Sequence, residues 1–492
     1  MSYFQVHLWT VQIPLPKVPP IVVAALPISD KLDVQDLLPM LESVLFGLLK
    51  HDVNVISYSC NGTETERSIQ KEISNKANSY TEIIISDPQG GPDEVRIKIP
   101  VFFRHPVTMI QDSKHGLKAA QNNLFSGAHL LVMGNFVSIY QQVYNVAFQP
   151  DSPLYHRDVV KLDRQDDNAA ARLFSATTLQ YISDKYPEEL GLIVYLFIFG
   201  ELCDAYQNRC IDHRECIKIV LRTRYFVNMW QRYINQCHVY QMNLYFLSWE
   251  FTDILSFMID GLISLVIIHQ DWLPDSVPLL PWLHSTEPTE HVFGVSRQIV
   301  TDFTMGDFLH MQPKLHLRLQ EAIHSQLSHS HMQASGYNHM YFDTHDIDLL
   351  ALGIFPSTST IQSIACEAME EADSLVHLLG IVPGILHVQQ AQLAEQHLPP
   401  IPNWAVNSRD DSDSKSVNLI DSKSSDPSDS APARSEMEQL FEAIHSSESQ
   451  QNIRASTSAE VARIDTLTNA AIGLALDDNI RMYVNSNQSV TF

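Results

Sequence analysis

The feature that most constrains this chain is a change of hydrophobic period part-way along it. Up to about residue 112 the apolar residues come in short alternating runs: Phe4, Val6 and Leu8 against Gln5 and His7, then Ile21-Val22-Val23-Ala24-Ala25-Leu26 after a turn punctuated by Pro14, Pro16, Pro19 and Pro20. From about 160 to 280 the runs are long, aromatic-rich, poor in glycine and spaced as on a helix. The chain therefore reads as a sheet-forming region followed by a mostly helical block.

Local signals refine the first region. Asp33 is placed to cap a helix whose stripe is Leu37, Leu41, Val44, Leu45 and Leu48. The β-branched run 53–58 reads as a strand, and Thr63 caps a second helix with Glu66 in capping-box register. Further strands are expected at 81–86, 95–99 and 107–111. Beyond the block, helical patterning recurs at 285–293, 309–319 and 360–379. Residues 408–428 are dominated by Ser, Asp and Lys, too polar to offset the entropy of ordering, and read as a disordered acidic linker to an amphipathic candidate helix at 436–445.

With 492 residues the chain has material for about three domains. Its formal net charge of −25 excludes a generally basic, phosphate-coating protein, although a local basic patch could still meet DNA. Six dispersed cysteines (Cys60, Cys203, Cys210, Cys216, Cys237, Cys366) and the lack of a signal-like opening lead us to expect a reduced, intracellular protein. The apolar runs 190–200 and 262–268 are shorter than the roughly 20 residues that span a bilayer, so buried core helices and no membrane partner are expected.

Three segments carry a family resemblance. Val55-Ile56-Ser57-Tyr58-Ser59-Cys60-Asn61-Gly62-Thr63 resembles the strand and "DG" segment of DDE transposases of the P element and THAP group. Gln111-Asp112-Ser113-Lys114-His115-Gly116-Leu117-Lys118, followed by Asn122-Asn123, resembles their D-x-x-H-x-L/I-K…N segment. Ser285-Thr286-Glu287-Pro288-Thr289-Glu290-His291-Val292-Phe293-Gly294, then Arg297, resembles their E-x-x-F helix. In order, the three cover residues 1 to about 320.

The resemblance implies an α/β fold: an RNase H-like core interrupted by a large all-helical insertion, here with a disordered acidic C-terminal tail. The implied division is 1–125 for the N-terminal part of the core, 126–280 for the insertion, 281–400 for helices completing the core, and 401–492 for the linker and tail. It also implies DNA as a partner and two-metal chemistry on three carboxylates, while the compartment stays open between nucleus and elsewhere in the cell, because no compact basic run marks nuclear entry. Compared with that family, the chain opens at the second strand, so the first carboxylate has no counterpart. The second falls at Asn61, a neutral amide that holds a hard cation less strongly. Glu290 takes the third position through its spacing to Phe293, with Glu287 one turn away as its competitor. The expectation is a transposase-derived protein that has lost cutting activity and needs no cofactor, with magnesium the ion of any residual site. An active metal-dependent DDE-type nuclease using Asp112, Glu290 and a further carboxylate is the contrary case.

Other residues leave two readings open. Asp112 and His115 at a strand-to-helix junction are either a metal-binding pair or a helix cap beside a packed histidine. Cys203, Cys210, His213 and Cys216 suggest zinc, but their spacing fits no standard knuckle and they read as helix residues. Arg214, Lys218 and Arg222 recur every four residues, among Arg209, Arg224 and Arg232, and form either a phosphate-tracking stripe or a solvated face balanced by acids. The latter makes the protein a non-enzymatic helical interaction scaffold.

Overall fold

The computed structural model of the chain describes residues 5–13, 18–28, 32–90, 94–160, 166–274, 277–324 and 347–381. The expected linker and the helix at 436–445 lie outside the described residues. The architecture is mixed α/β, mostly helical with small sheets.

The N-terminal region is a hairpin of β1 (Gln5–Val11) and β2 (Ile21–Ile28), then helix α1 (Val34–Lys50), strand β3 (Ser57–Cys60) and helix α2 (Glu64–Asn75). Strands β4 (Ser79–Ile85), β5 (Val95–Phe102) and β6 (His105–Pro106) form an antiparallel meander. Strand β7 (Thr108–Gln111) runs parallel to β3 and leads into α3 (Ser113–Phe125). Among the described residues the strands make four small sheets and no single continuous one.

The middle of the chain begins with a hairpin of β8 (Leu131–Met133) and β9 (Phe136–Ser138). Helices α4 (Tyr140–Ala147), α5 (Arg157–Val160), α6 (Asp167–Leu173) and α7 (Ala176–Lys185) follow. The long elements are α8 (Leu190–Gln207), α9 (His213–Gln236), the short α10 (Met242–Tyr245), and α11 (Trp249–Trp272). The chain returns through α12 (Glu287–Ile299) and α13 (Met305–His324), and α14 (Thr358–Leu378) closes the described part.

Capping explains where many helices begin. Asp33, Thr63, Asp112, Asp166, Ser175, Asp212, Ser248 and Ser357 each accept a backbone N–H of the first turn, satisfying a donor that the helix itself leaves unpaired. Asp33 closes a capping box with Asp36.

Helices α8 and α11 are long and apolar enough to cross a membrane, more so than the short runs had suggested, yet most of each is buried inside the protein. Several of their buried polar groups are paired: the Tyr206 hydroxyl donates to Met258 O at 2.5 Å and Tyr195 to Ala120 O at 2.8 Å, and the Trp230 indole of neighbouring α9 donates to Val132 O at 2.6 Å. One core joins α3, α8, α9, α11 and α14 to β5 and β7. A second, of Trp9, Leu37, Leu41, Leu45 and Leu49 with Ile69, Ile73 and Met109, places α1 and α2 against β1, β3 and β7. A third packs Leu8 of β1 under Val292, Val295, Phe308 and Leu315 of α12 and α13. Strand β1 is thus covered on both faces.

Candidate functional site

The parallel pairing of β3 with β7 brings two of the sequence candidates together. The Asp112 N–H donates to Cys60 O at 3.2 Å, so Asn61 and Asp112 leave the adjacent carboxyl ends of two neighbouring strands. Asn61 is exposed, and Gly62 follows it at φ +77°. A Cβ there would stand 2.6 Å from the Gln111 side-chain oxygen, so the turn after β3 requires glycine. Arg67 of α2 holds the turn by donating to Gly62 O and pairing with Asp253 at 3.1 Å.

Asp112 is buried and all its acceptor capacity faces protein donors. Oδ1 accepts from Lys114 N at 2.8 Å and His115 N at 3.3 Å, while Oδ2 accepts from Thr286 N at 2.8 Å and Thr286 Oγ1 at 2.7 Å. One carboxylate caps α3 and fastens the start of α12. Burial pushes its pKa up, but the neighbouring His115 and the Thr286 donors outweigh it and hold the carboxyl below its ordinary value.

Thr286 is where α12 begins, which places Glu287 and Glu290 on its first turns. Glu290 Oε1 lies 3.4 Å from His115 Nε2, and Glu287 pairs with Lys114 at 2.9 Å. Burial lowers the His115 pKa, yet Glu290 and Asp112 together carry it above its ordinary value. Glu287 is pushed up by burial, only partly offset by Lys114.

Glu66 is a member that sequence reasoning read only as a cap. It accepts from Thr63 Oγ1 at 3.2 Å, and its charge acts on His115 while the Asn61 N–H stabilises it. Burial raises its pKa. The capping-box register fixed its distance from Asn61, but nothing local could show that α3 would bring His115 beside it. His115 thus lies in the field of Glu66 and within reach of Glu290 Oε1, an imidazole–carboxylate pair at a partly exposed edge.

A pair of divalent ions does not fit these donors. Asn61 is neutral, both Asp112 oxygens are saturated by protein N–H and O–H groups, and the charge of Glu287 is already balanced by Lys114 at Oε1. Among the described residues no three His, Cys, Asp or Glu side chains are arranged to hold a metal ion. The zinc reading fares alike: α8 ends before Cys210 and α9 begins at His213, Cys203 and Cys216 are buried, and His213 Nε2 is bonded to Leu352 O at 2.9 Å.

The basic stripe faces α14. Arg214 meets Glu367 at 2.5 Å, Lys218 meets Glu215 at 2.9 Å and Glu371 at 3.2 Å, and Arg222 meets Glu371 at 2.6 Å and Glu201 at 3.4 Å. The Arg222 side chain is 6% exposed and that of Arg214 45%. Arg224 pairs with Asp260. No family model, curated protein or solved structure matches the chain.

Proposed function

We propose that this chain is a transposase-derived protein of the DDE class, resembling the P element and THAP group, that binds DNA weakly and does not cut it. The proposed core is RNase H-like, with β1, β2, β3 and β7 as its strands and the helical block inserted between α3 and α12. One observation carries the reading: Asn61 and Asp112 leave adjacent strand ends, and Glu290 returns to them through His115 after a long helical detour. Loss of cutting rests on the donor set, because two divalent ions cannot be held by a neutral amide and a carboxylate already occupied by four protein donors.

A second reading, a non-enzymatic helical scaffold, is favoured by the ion pairs of Arg214, Lys218 and Arg222 with α14, which leave little of that stripe for phosphates. Titration of a labelled duplex separates the two. The transposase-derived reading expects binding at low salt that weakens as salt rises and is reduced by Arg214→Glu; no binding at low salt gives the scaffold its case. Magnesium- or manganese-dependent nicking of plasmid by the same preparation would overturn both.

A further inference from the structure

Asn61-Gly62 is the one Asn-Gly pair in the chain. An asparagine followed by glycine is chemically labile, because the next backbone nitrogen reaches the side-chain carbonyl carbon when no Cβ stands in the way. Folding decides whether that lability survives.

The turn after β3 anchors the neighbours of this side chain and leaves the side chain itself free. Cys60 O accepts from Asp112 N and Gly62 O accepts from Arg67, so the backbone is held before and after Asn61. Asn61 is exposed, and among the described residues it bonds through its backbone N–H, to Glu66, and not through its side-chain amide. The Gly62 N–H turns to the Cys60 sulfur, a weak acceptor that holds it loosely. Other asparagines are tied. Asn78, which precedes the small Ser79, accepts at Oδ1 from Phe103 N at 2.9 Å. Asn123 donates to Ala119 O at 2.9 Å and accepts from Ser248 N at 2.8 Å.

We infer that Asn61 is a site of spontaneous deamidation in the folded protein, with water as the co-reactant. The Gly62 nitrogen attacks Asn61 Cγ and a C–N bond forms. The Cγ–Nδ2 bond breaks, and ammonia leaves carrying the proton that the Gly62 N–H gave up. Water then opens the cyclic imide. Breaking the new C–N bond gives aspartate, whereas breaking the original peptide bond gives isoaspartate, whose backbone runs through the former side chain. Nothing is oxidised or reduced. Either product adds an anion beside Glu66, at the turn where the transposase resemblance places a carboxylate. The chemistry uses only the turn and stands apart from that reading.

The full chain is held for weeks in mildly alkaline buffer and digested in heavy-oxygen water, so that conversion during digestion is marked. In peptide mass maps, Asn61 should gain about one mass unit, ammonia being lost and water taken up, while Asn78 and Asn123 stay unchanged. The intact protein should yield a more acidic species on ion exchange. Asn61→Gln, whose longer side chain closes the ring far more slowly, should remove both signals at an unchanged melting temperature. A synthetic peptide of residues 57–66 serves as the reference for the buffer. Three results would overturn the inference: an unchanged Asn61 in the folded chain while the synthetic peptide converts, conversion at Asn78 or Asn123 as fast as at Asn61, or the same acidic species at the same rate from Asn61→Gln.

Discussion

Three histidines outside the candidate site lie buried against the C-terminal segment. His213 stacks on Phe355 at 5.1 Å, His269 approaches the same ring at 5.7 Å, and His284 stands 6.1 Å from His269. Each has one ring nitrogen bonded, to Leu352 O, Leu265 O and Ser57 Oγ respectively, and the other buried without a hydrogen-bond partner. Burial lowers all three, His269 to about 4 and His284 to about 3. A histidine whose folded pKa is depressed must be protonated on unfolding once the pH drops below about 6.5, so its stabilising contribution is complete above that value and lost on acidification toward the folded pKa. Each histidine then costs about 1.4 kcal/mol per pH unit inside that window. Urea melts should show stability falling by roughly 2–4 kcal/mol from pH 6.5 to pH 5 through His269 and His284 together. The double variant His269→Asn/His284→Asn, in which the amide can keep the bond made by Nδ1, should flatten that dependence; an unchanged slope would mean other groups cause it.

At the scale of elements, the pairing of α9 with α14 turns a sequence stripe into a structural seam. Arg222 is nearly enclosed and shared by Glu371 and Glu201, so Arg222→Ala leaves half-buried Glu201 without this partner and Glu371 with Lys218 alone, and should cost about 3 kcal/mol, with faster amide exchange through α14. Arg214→Ala, at a half-exposed pair, should cost at most about 1 kcal/mol. Equal losses in the two variants would show that burial does not separate them. Much of this level could be read in the sequence. The caps at Asp33, Thr63 and Asp112 were visible, and the strands expected at 81–86, 95–99 and 107–111 correspond to β4, β5 and β7. The strand expected at 53–58 was displaced, because its ladder forms only where β7 lies alongside, from Ser57 to Cys60. The hairpin of β8 and β9 escaped notice, although Gly134-Asn135 between Leu131-Val132-Met133 and Phe136-Val137 is a turn signal; Gly134 sits at φ +62°, where a Cβ would collide with Leu379 O. The acids opposite Arg214 and Arg222 stand about 150 residues away, and no periodicity within α9 could reveal them.

For the whole molecule, the candidate site is only as well placed as the helical block that separates its parts. Ile110 and Leu117 belong to the same core as α8, α9 and α11, so that block fixes the end of β7 and the start of α3, where Asp112 sits. Asp112 in turn fastens Thr286, and through it the helix that carries Glu290. A carboxylate used as a structural tie cannot also serve as a metal ligand without releasing a helix cap and the start of α12, at a cost of about 1 kcal/mol for the cap alone. Asn61→Asp therefore supplies one anion to a site whose neighbour stays occupied, within a chain already at −25 that repels phosphate. We expect this variant to leave supercoiled plasmid intact in magnesium or manganese, and to bind a labelled duplex no more tightly than the parent. Metal-dependent cleavage by the variant, abolished by Glu290→Gln, would show that Asp112 can be released and that the tie is part of a working site.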